Sequence, residues 1–259
     1  MGMSILIAMS STESALTTIP SWLSDEVAIR MDEKLSIIRL KPERILQSGR
    51  VSDSVITRRF SQAQHYFERP QLLPSLLRRV FLWLARKPIP KLISQTSHEL
   101  APKMNMIWSN LELHLVSDPD QLIEKWRRVL KPESLLMFSY LGPDTGRELR
   151  ALLDLGNQSL LEHSLDMHDI GDALMKAQFA EPVMDMEYIT LEYEEKALLI
   201  KDAVSLGLLE SNHLDTLNWS NQPLKLTLEI VYGHAWTTLL AKTKQGEAVI
   251  RPDQITRKY

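Results

Sequence analysis

His163, Asp166, His168 and Asp169 form a small cluster of residue types able to ligate a metal ion. Their spacing matches no standard ligand motif, so no metal site is expected. Asp166 and Asp169 are better suited to capping the helix that follows, with Ala173 and Leu174 on its buried side. The chain has no cysteine, which excludes disulfides, thiolate metal sites and a cysteine nucleophile, and which fits a reducing cytoplasm. No catalytic triad stands out, and the catalytic residues stay unassigned. Arg78, Arg79, Arg86, Lys87 and Lys91 make a basic run beside the apolar Leu76, Leu77, Val80, Phe81 and Leu84. That run is either a solvated helix face or a place for an acidic partner. Only nine glycines occur, although nucleotide-binding α/β domains spend glycine on phosphate loops.

The elements that would position these groups alternate. Helical spacing after Ser24, an expected N-cap, runs through Val27, Ala28, Met31, Leu35 and Ile38 to a break at Lys41-Pro42. Short strands are expected at Arg44-Ile45-Leu46, Tyr66-Phe67, Met106-Ile107-Trp108 and Leu135 to Tyr140. Helices are expected over 51–64, 72–84, 144–153, 169–177 and 194–206, with another starting at Ser117-Asp118-Pro119. Val183 to Tyr193 is extended, and Leu224, Leu226, Leu228, Ile230 and Tyr232 mark a period-two strand. Strands alternating with helices give an α/β class: a doubly wound, mostly parallel sheet with an antiparallel C-terminal edge strand. Residues 1–20 are expected to be a loose tail and 21–259 one domain, with 141–223 a mostly helical substrate-side cap. A net charge of −3 argues against general affinity for nucleic acid or anionic membrane. No apolar stretch reaches spanning length, because Arg78 and Arg79 interrupt the nearest one.

Met106-Ile107-Trp108-Ser109-Asn110-Leu111 followed by Leu130-Lys131-Pro132-Glu133 resembles class I methyltransferases around their fourth and fifth strands. There Glu133-Ser134 stands where the family has two glycines. Leu141-Gly142-Pro143-Asp144-Thr145, Asp166 to Leu174, Val183 to Tyr188 and Glu229 to Trp236 narrow the match. So do Val27 to Met31 and Leu40 to Leu46. Together they resemble the malonyl-acyl-carrier-protein O-methyltransferases of biotin synthesis, the BioC type. The resemblance implies a Rossmann-like fold, S-adenosylmethionine as cofactor, an acyl carrier protein as partner and a cytoplasmic site of action. It implies methylation of a free carboxylate, which is already a nucleophile at neutral pH. Positioning and desolvation would then supply most of the rate.

The family's cofactor loop has the form D-x-G-x-G-x-G, and here it is Gln47-Ser48-Gly49-Arg50-Val51-Ser52-Asp53. Gln47 takes the acidic position, and Gly49 is what remains of the three glycines. Glu68, nineteen residues after Gly49, would be the acid that meets the ribose. A further acidic position near the adenine would fall at 95–99, where Gln95, Thr96, His98 and Glu99 stand. Asn110, and His114 beyond it, follow the fourth strand, where ligands bind in such sheets. Gln47, Gly49, Glu68 and Asn110 are therefore the expected cofactor residues. Tyr188, Tyr232 and His234 are the candidates for the substrate side, with simple packing as the alternative. The altered loop lowers the expected cofactor affinity by orders of magnitude. Two functions stay open: an O-methyltransferase, or a pseudoenzyme of the same fold that binds no cofactor and serves as a binding or regulatory partner.

Overall fold

The computed structural model describes residues 19–49, 53–69, 73–93, 104–153, 155, 158–161, 163, 165–209 and 223–238. Outside them fall nearly all of the expected tail, loop residues 50–52 and the expected adenine-side positions 95–99. Helix α1 (Ser21–Leu35) starts earlier than the Ser24 cap implied. Pro20 precedes it, and Ser24 sits buried inside it with Oγ donating to the Ser21 carbonyl at 3.0 Å. Then follow β1 (Arg44–Ser48), α2 (Ser54–Arg59), β2 (Gln64–Phe67), α3 (Leu76–Leu84) and β3 (Lys91–Leu92). Next come β4 (Met104–Ser109), a 3-10 turn (Leu113–Leu115), α4 (Pro119–Val129) and β5 (Leu130–Leu141). The chain continues through α5 (Arg147–Leu152), α6 (Met167–Lys176), β6 (Phe179–Glu192), α7 (Lys196–Ser205) and β7 (Lys225–Thr237).

Among the described residues, seven strands form one sheet in the order β3-β2-β1-β4-β5-β7-β6. β1, β2, β3, β4 and β5 are parallel, and β7 runs antiparallel to both β5 and β6. The C-terminal strand is antiparallel as expected, and β6 stands outside it as the edge. Burial follows these positions. β5 is buried on both faces from Ser134 to Leu141, as a central strand must be, whereas β6 alternates half-buried and exposed. One sheet face carries Ile45, Met106, Trp108 and Met137 beneath α1, α2, α5 and α7. The other carries Ile107, Leu136, Phe138 and Tyr140 beneath α4 and α6. Within 141–223, α5, α6 and α7 pack into these two cores, and fourteen-residue β6 joins the sheet itself.

Local chemistry explains several boundaries. Asp118 caps α4 by accepting from the Gln121 amide at 2.8 Å, Pro119 opens the helix, and Ile123, Trp126 and Val129 form its buried stripe. Glu133, where the resemblance has glycine, keeps a left-handed backbone at φ +54°. A side chain held there costs about 1–2 kcal/mol. Gly233 is required by close approach, since a Cβ would collide with the Phe138 ring across the strand pair. Strand order reverses beside β1, with β2 on one side and β4 on the other. That topology opens a crevice outside the carboxyl ends of these strands.

Candidate functional site

β1 delivers Gln47, Ser48 and Gly49 to the crevice, β2 delivers Glu68, and β4 delivers Asn110, Leu111 and Glu112. The four expected cofactor residues are thus brought to one end of the sheet, but they do not all face open space. Gln47 is buried, with both ends of its amide used. Its Oε1 accepts from the Asp53 amide at 2.8 Å, while Nε2 donates to Thr57 Oγ1 at 3.0 Å and lies 3.3 Å from His65 Nδ1. His65 Nε2 is 3.1 Å from the Phe60 carbonyl, so a neutral ring protonated at Nε2 satisfies both contacts. Burial pushes the His65 pKa down, consistent with that neutral ring. Through these contacts Gln47 braces α2 against β1 and β2.

Asn110 is likewise committed. Its Nδ2 donates to the Ser24 carbonyl at 2.8 Å and to Asp53 Oδ2 at 3.0 Å, and its Oδ1 accepts from Ser139 Oγ at 3.1 Å. The same Asp53 oxygen accepts from the Trp108 indole at 2.5 Å. Burial pushes the Asp53 pKa up to about 6, against the opposing effect of the Trp108 and Asn110 bonds. Asp53 ends the altered loop and turns inward instead of capping α2. Asn110 thus frames the crevice and ties α1 to the sheet through Ser24.

Glu68 is partly exposed, whereas Gly49 is buried. Gly49 has φ +126°, a conformation only glycine takes without strain. The buried side chain of Glu112 closes over it: a Cβ on Gly49 would lie 3.1 Å from Glu112 Cβ and 3.2 Å from its Oε2. Arg69 reaches that carboxylate at 3.5 Å. Glu68 receives Lys125 at 2.8 Å and the Ser48 hydroxyl at 3.1 Å, and Ser48 in turn accepts from the Trp126 indole at 2.9 Å. Asp53 and Glu112 were missed by sequence reasoning. The available clue was an acid at the last loop position, where the family has glycine, and another just past Ser109-Asn110-Leu111. His114, next along, is buried, and its Nδ1 accepts from the Leu141 amide at 3.3 Å.

The substrate-side candidates separate. Leu141 pairs with Ile230 at the carboxyl edge, and Tyr188 pairs with Glu229 beside it. Tyr188 donates to Asp144 Oδ2 at 3.1 Å, Arg147 lies over its ring at 5.2 Å, and Arg150 holds Asp144 at 2.9 Å. The Arg150 bond keeps the Asp144 carboxyl below its usual range. Burial raises the nearby Glu229, which accepts from the Asp144 amide at 2.6 Å. Tyr232 and His234 are paired with Ser139 and Met137, successively farther from this edge and on the opposite face. At about 3.3 Å per residue, His234 lies about 13 Å back from Ile230. Tyr232 donates to Glu187 at 2.6 Å under Lys34, 4.7 Å from its ring centroid, on the α1 side. Asp166 caps α6 through the His168 amide at 2.7 Å. Among the described residues, no group of three His, Asp or Glu side chains is arranged to hold a metal.

Replacing Gln47 by Glu tests the brace. A carboxylate cannot donate to His65 Nδ1, so the ring gains by taking a second proton. The His65 pKa should rise by about one unit or more, read from its imidazole resonances during a pH titration. An unchanged titration would contradict the contact.

No family model matches the chain. Among curated proteins, the malonyl-[acyl-carrier protein] O-methyltransferase of Gallionella capsiferriformans is 33% identical over 88% of this chain and 89% of its own length. That of Laribacter hongkongensis is 34% identical over 83% and 82%. Among solved structures, a candidate methyltransferase from Bacillus halodurans superposes with a TM-score of 0.54 at 9% identity. The match covers 82% of this chain and 99% of the other, and supports the fold.

Proposed function

This chain belongs to the malonyl-acyl-carrier-protein O-methyltransferase family, and from that premise we propose that it methylates the free carboxylate of a malonyl group carried on acyl carrier protein, in the cytoplasm, for biotin synthesis. The observation that carries this is identity of 33% sustained over almost the full length of both chains. An intact sheet whose strand order reverses beside β1 accompanies it. Among the described residues, no helix is long and apolar enough to cross a membrane.

The residues present fit S-adenosylmethionine in their chemistry. Glu68 has lone pairs to accept ribose hydroxyls while Lys125 keeps it in place, and Gly49 permits close backbone approach. The carboxylate of Glu112 suits a cationic ligand, but its side chain must turn out to clear the space over Gly49. S-adenosylmethionine, when bound, supplies the electrophilic methyl group. The chain's own work is then to bind, orient and exclude water. The malonyl carboxylate needs no base, so the ionisable groups near the edge serve orientation. Arg147, about half exposed over Tyr188 and 3.6 Å from Glu148, is a cation that could meet an anionic substrate there.

The second reading is a chain that binds no S-adenosylmethionine and serves as a partner protein, and it must account for the following contacts. Gln47 and Asn110 spend their polar atoms inside the chain, and Glu112 covers Gly49. Expression in a strain lacking its own malonyl-acyl-carrier-protein methyltransferase separates the two. Growth without biotin is expected for the methyltransferase, and continued biotin dependence with soluble protein present would reject it.

A further inference from the structure

The most unusual surface lies away from the crevice. α3 buries none of its residues: Leu77 is 85% exposed, Phe81 66% and Trp83 68%. Contiguous apolar exposure of this kind marks interaction surfaces. The surrounding sequence is charged with one sign only. From Arg69 to His98 there is no Asp or Glu, while Arg69, Arg78, Arg79, Arg86, Lys87 and Lys91 are basic, in a chain of net charge −3. Among the described residues, Arg78, Arg79, Arg86, Lys87 and Lys91 form no ion pair. Between α3, α2 and β2 opens a cleft of about 540 Å³. Arg58, Arg78 and Lys87 line it together with His65, Phe67 and Phe81. Phe67 ends β2 and is followed by Glu68, so the cleft comes within one residue along the chain of that candidate cofactor residue.

We propose that α3 and the cleft behind it dock the acidic carrier protein, which rests on the function proposed above. Charge complementarity selects this occupant. A second copy meeting face to face would set Arg78, Arg79 and Arg86 against themselves, since a two-fold contact repeats the same patch. A carrier brings acidic side chains to α3 and, on its acyl arm, a phosphate for Arg58, Arg78 and Lys87. Leu77, Phe81 and Trp83 supply the apolar centre of the contact.

The test measures affinity of the full chain for fluorescent malonyl-carrier protein by anisotropy, against the Arg78→Glu/Arg79→Glu and Leu77→Ser/Trp83→Ser variants. All four side chains are exposed, so thermal midpoints should hold. Each pair should weaken binding about tenfold or more, and added salt should weaken wild type but affect the charge-reversed pair less. Wild-type binding unaltered in both variants would overturn the docking surface and leave the proposed function standing. No wild-type binding would overturn both. Self-association or binding to anionic vesicles that these variants abolish, with carrier affinity unchanged, would assign the surface to another occupant and overturn the proposal.

Discussion

Asp53→Ala should destabilise the chain by about 2–6 kcal/mol, because it leaves the Trp108 indole and one Asn110 N–H buried without an acceptor, at about 1–3 kcal/mol each. Asp53→Asn should behave differently, since its carbonyl oxygen can still accept while the buried charge is gone. The pH dependence has a definite sign. The folded-state pKa of about 6 lies above the ordinary 3.8, so the folded chain holds this proton more tightly than the unfolded one. That stabilisation is complete below about pH 3.8 and is lost as the pH rises through 6. Relative to Asp53→Asn, wild type should therefore lose on the order of 2–3 kcal/mol between pH 4 and 7. Glu229, Asp144 and Asp185 also titrate, but they are common to both proteins and cancel in the difference. Urea denaturation of the two proteins across this range measures it. Parallel curves would show that Asp53 is not a buried acid.

Gly49→Val should cost about as much, for an unrelated reason. A β-branched residue at φ +126° is strained by about 1–3 kcal/mol. Its Cβ would also press on Glu112, and overpacking adds about 1–3 kcal/mol more. The thermal midpoint should fall by about 5–15 °C for a domain of this size. Biotin-independent growth should be lost with it. Gly49→Ala should fall between the two, because it adds less bulk at the same backbone. A valine tolerated without loss of stability would mean that Glu112 does not sit over this glycine.

Much of the fold was legible because local pattern and tertiary position agree. Ile45-Leu46 and Met106-Ile107-Trp108 are short apolar runs buried on both faces, and Asp118-Pro119 states a helix start in two residues. The start of α1 was misread because Ser24 has the chemistry of a cap but is used inside the helix. For the candidate site residues, the place along the chain was legible and the contacts each one makes were not. Alternation puts Tyr232 and His234 on one face, but only the β6–β7 register shows that Tyr188 belongs to the other. Gln47 looks like a lost acid in sequence. Its role as a brace depends on Asp53, Thr57 and His65, which meet it only in three dimensions. The basic run was legible as either a solvated face or a docking site, and its exposed Leu77, Phe81 and Trp83 now favour the latter.

The most direct measurement supplies purified chain with malonyl-acyl-carrier protein and methyl-labelled S-adenosylmethionine up to millimolar concentration, alongside the Gallionella relative on the same carrier. The expected result is label on the carrier as an alkali-labile methyl ester, saturating at higher cofactor concentration than in the relative because Glu112 must first be displaced from Gly49. No label from this chain, where the relative labels the same carrier, would contradict the proposed methyltransferase activity.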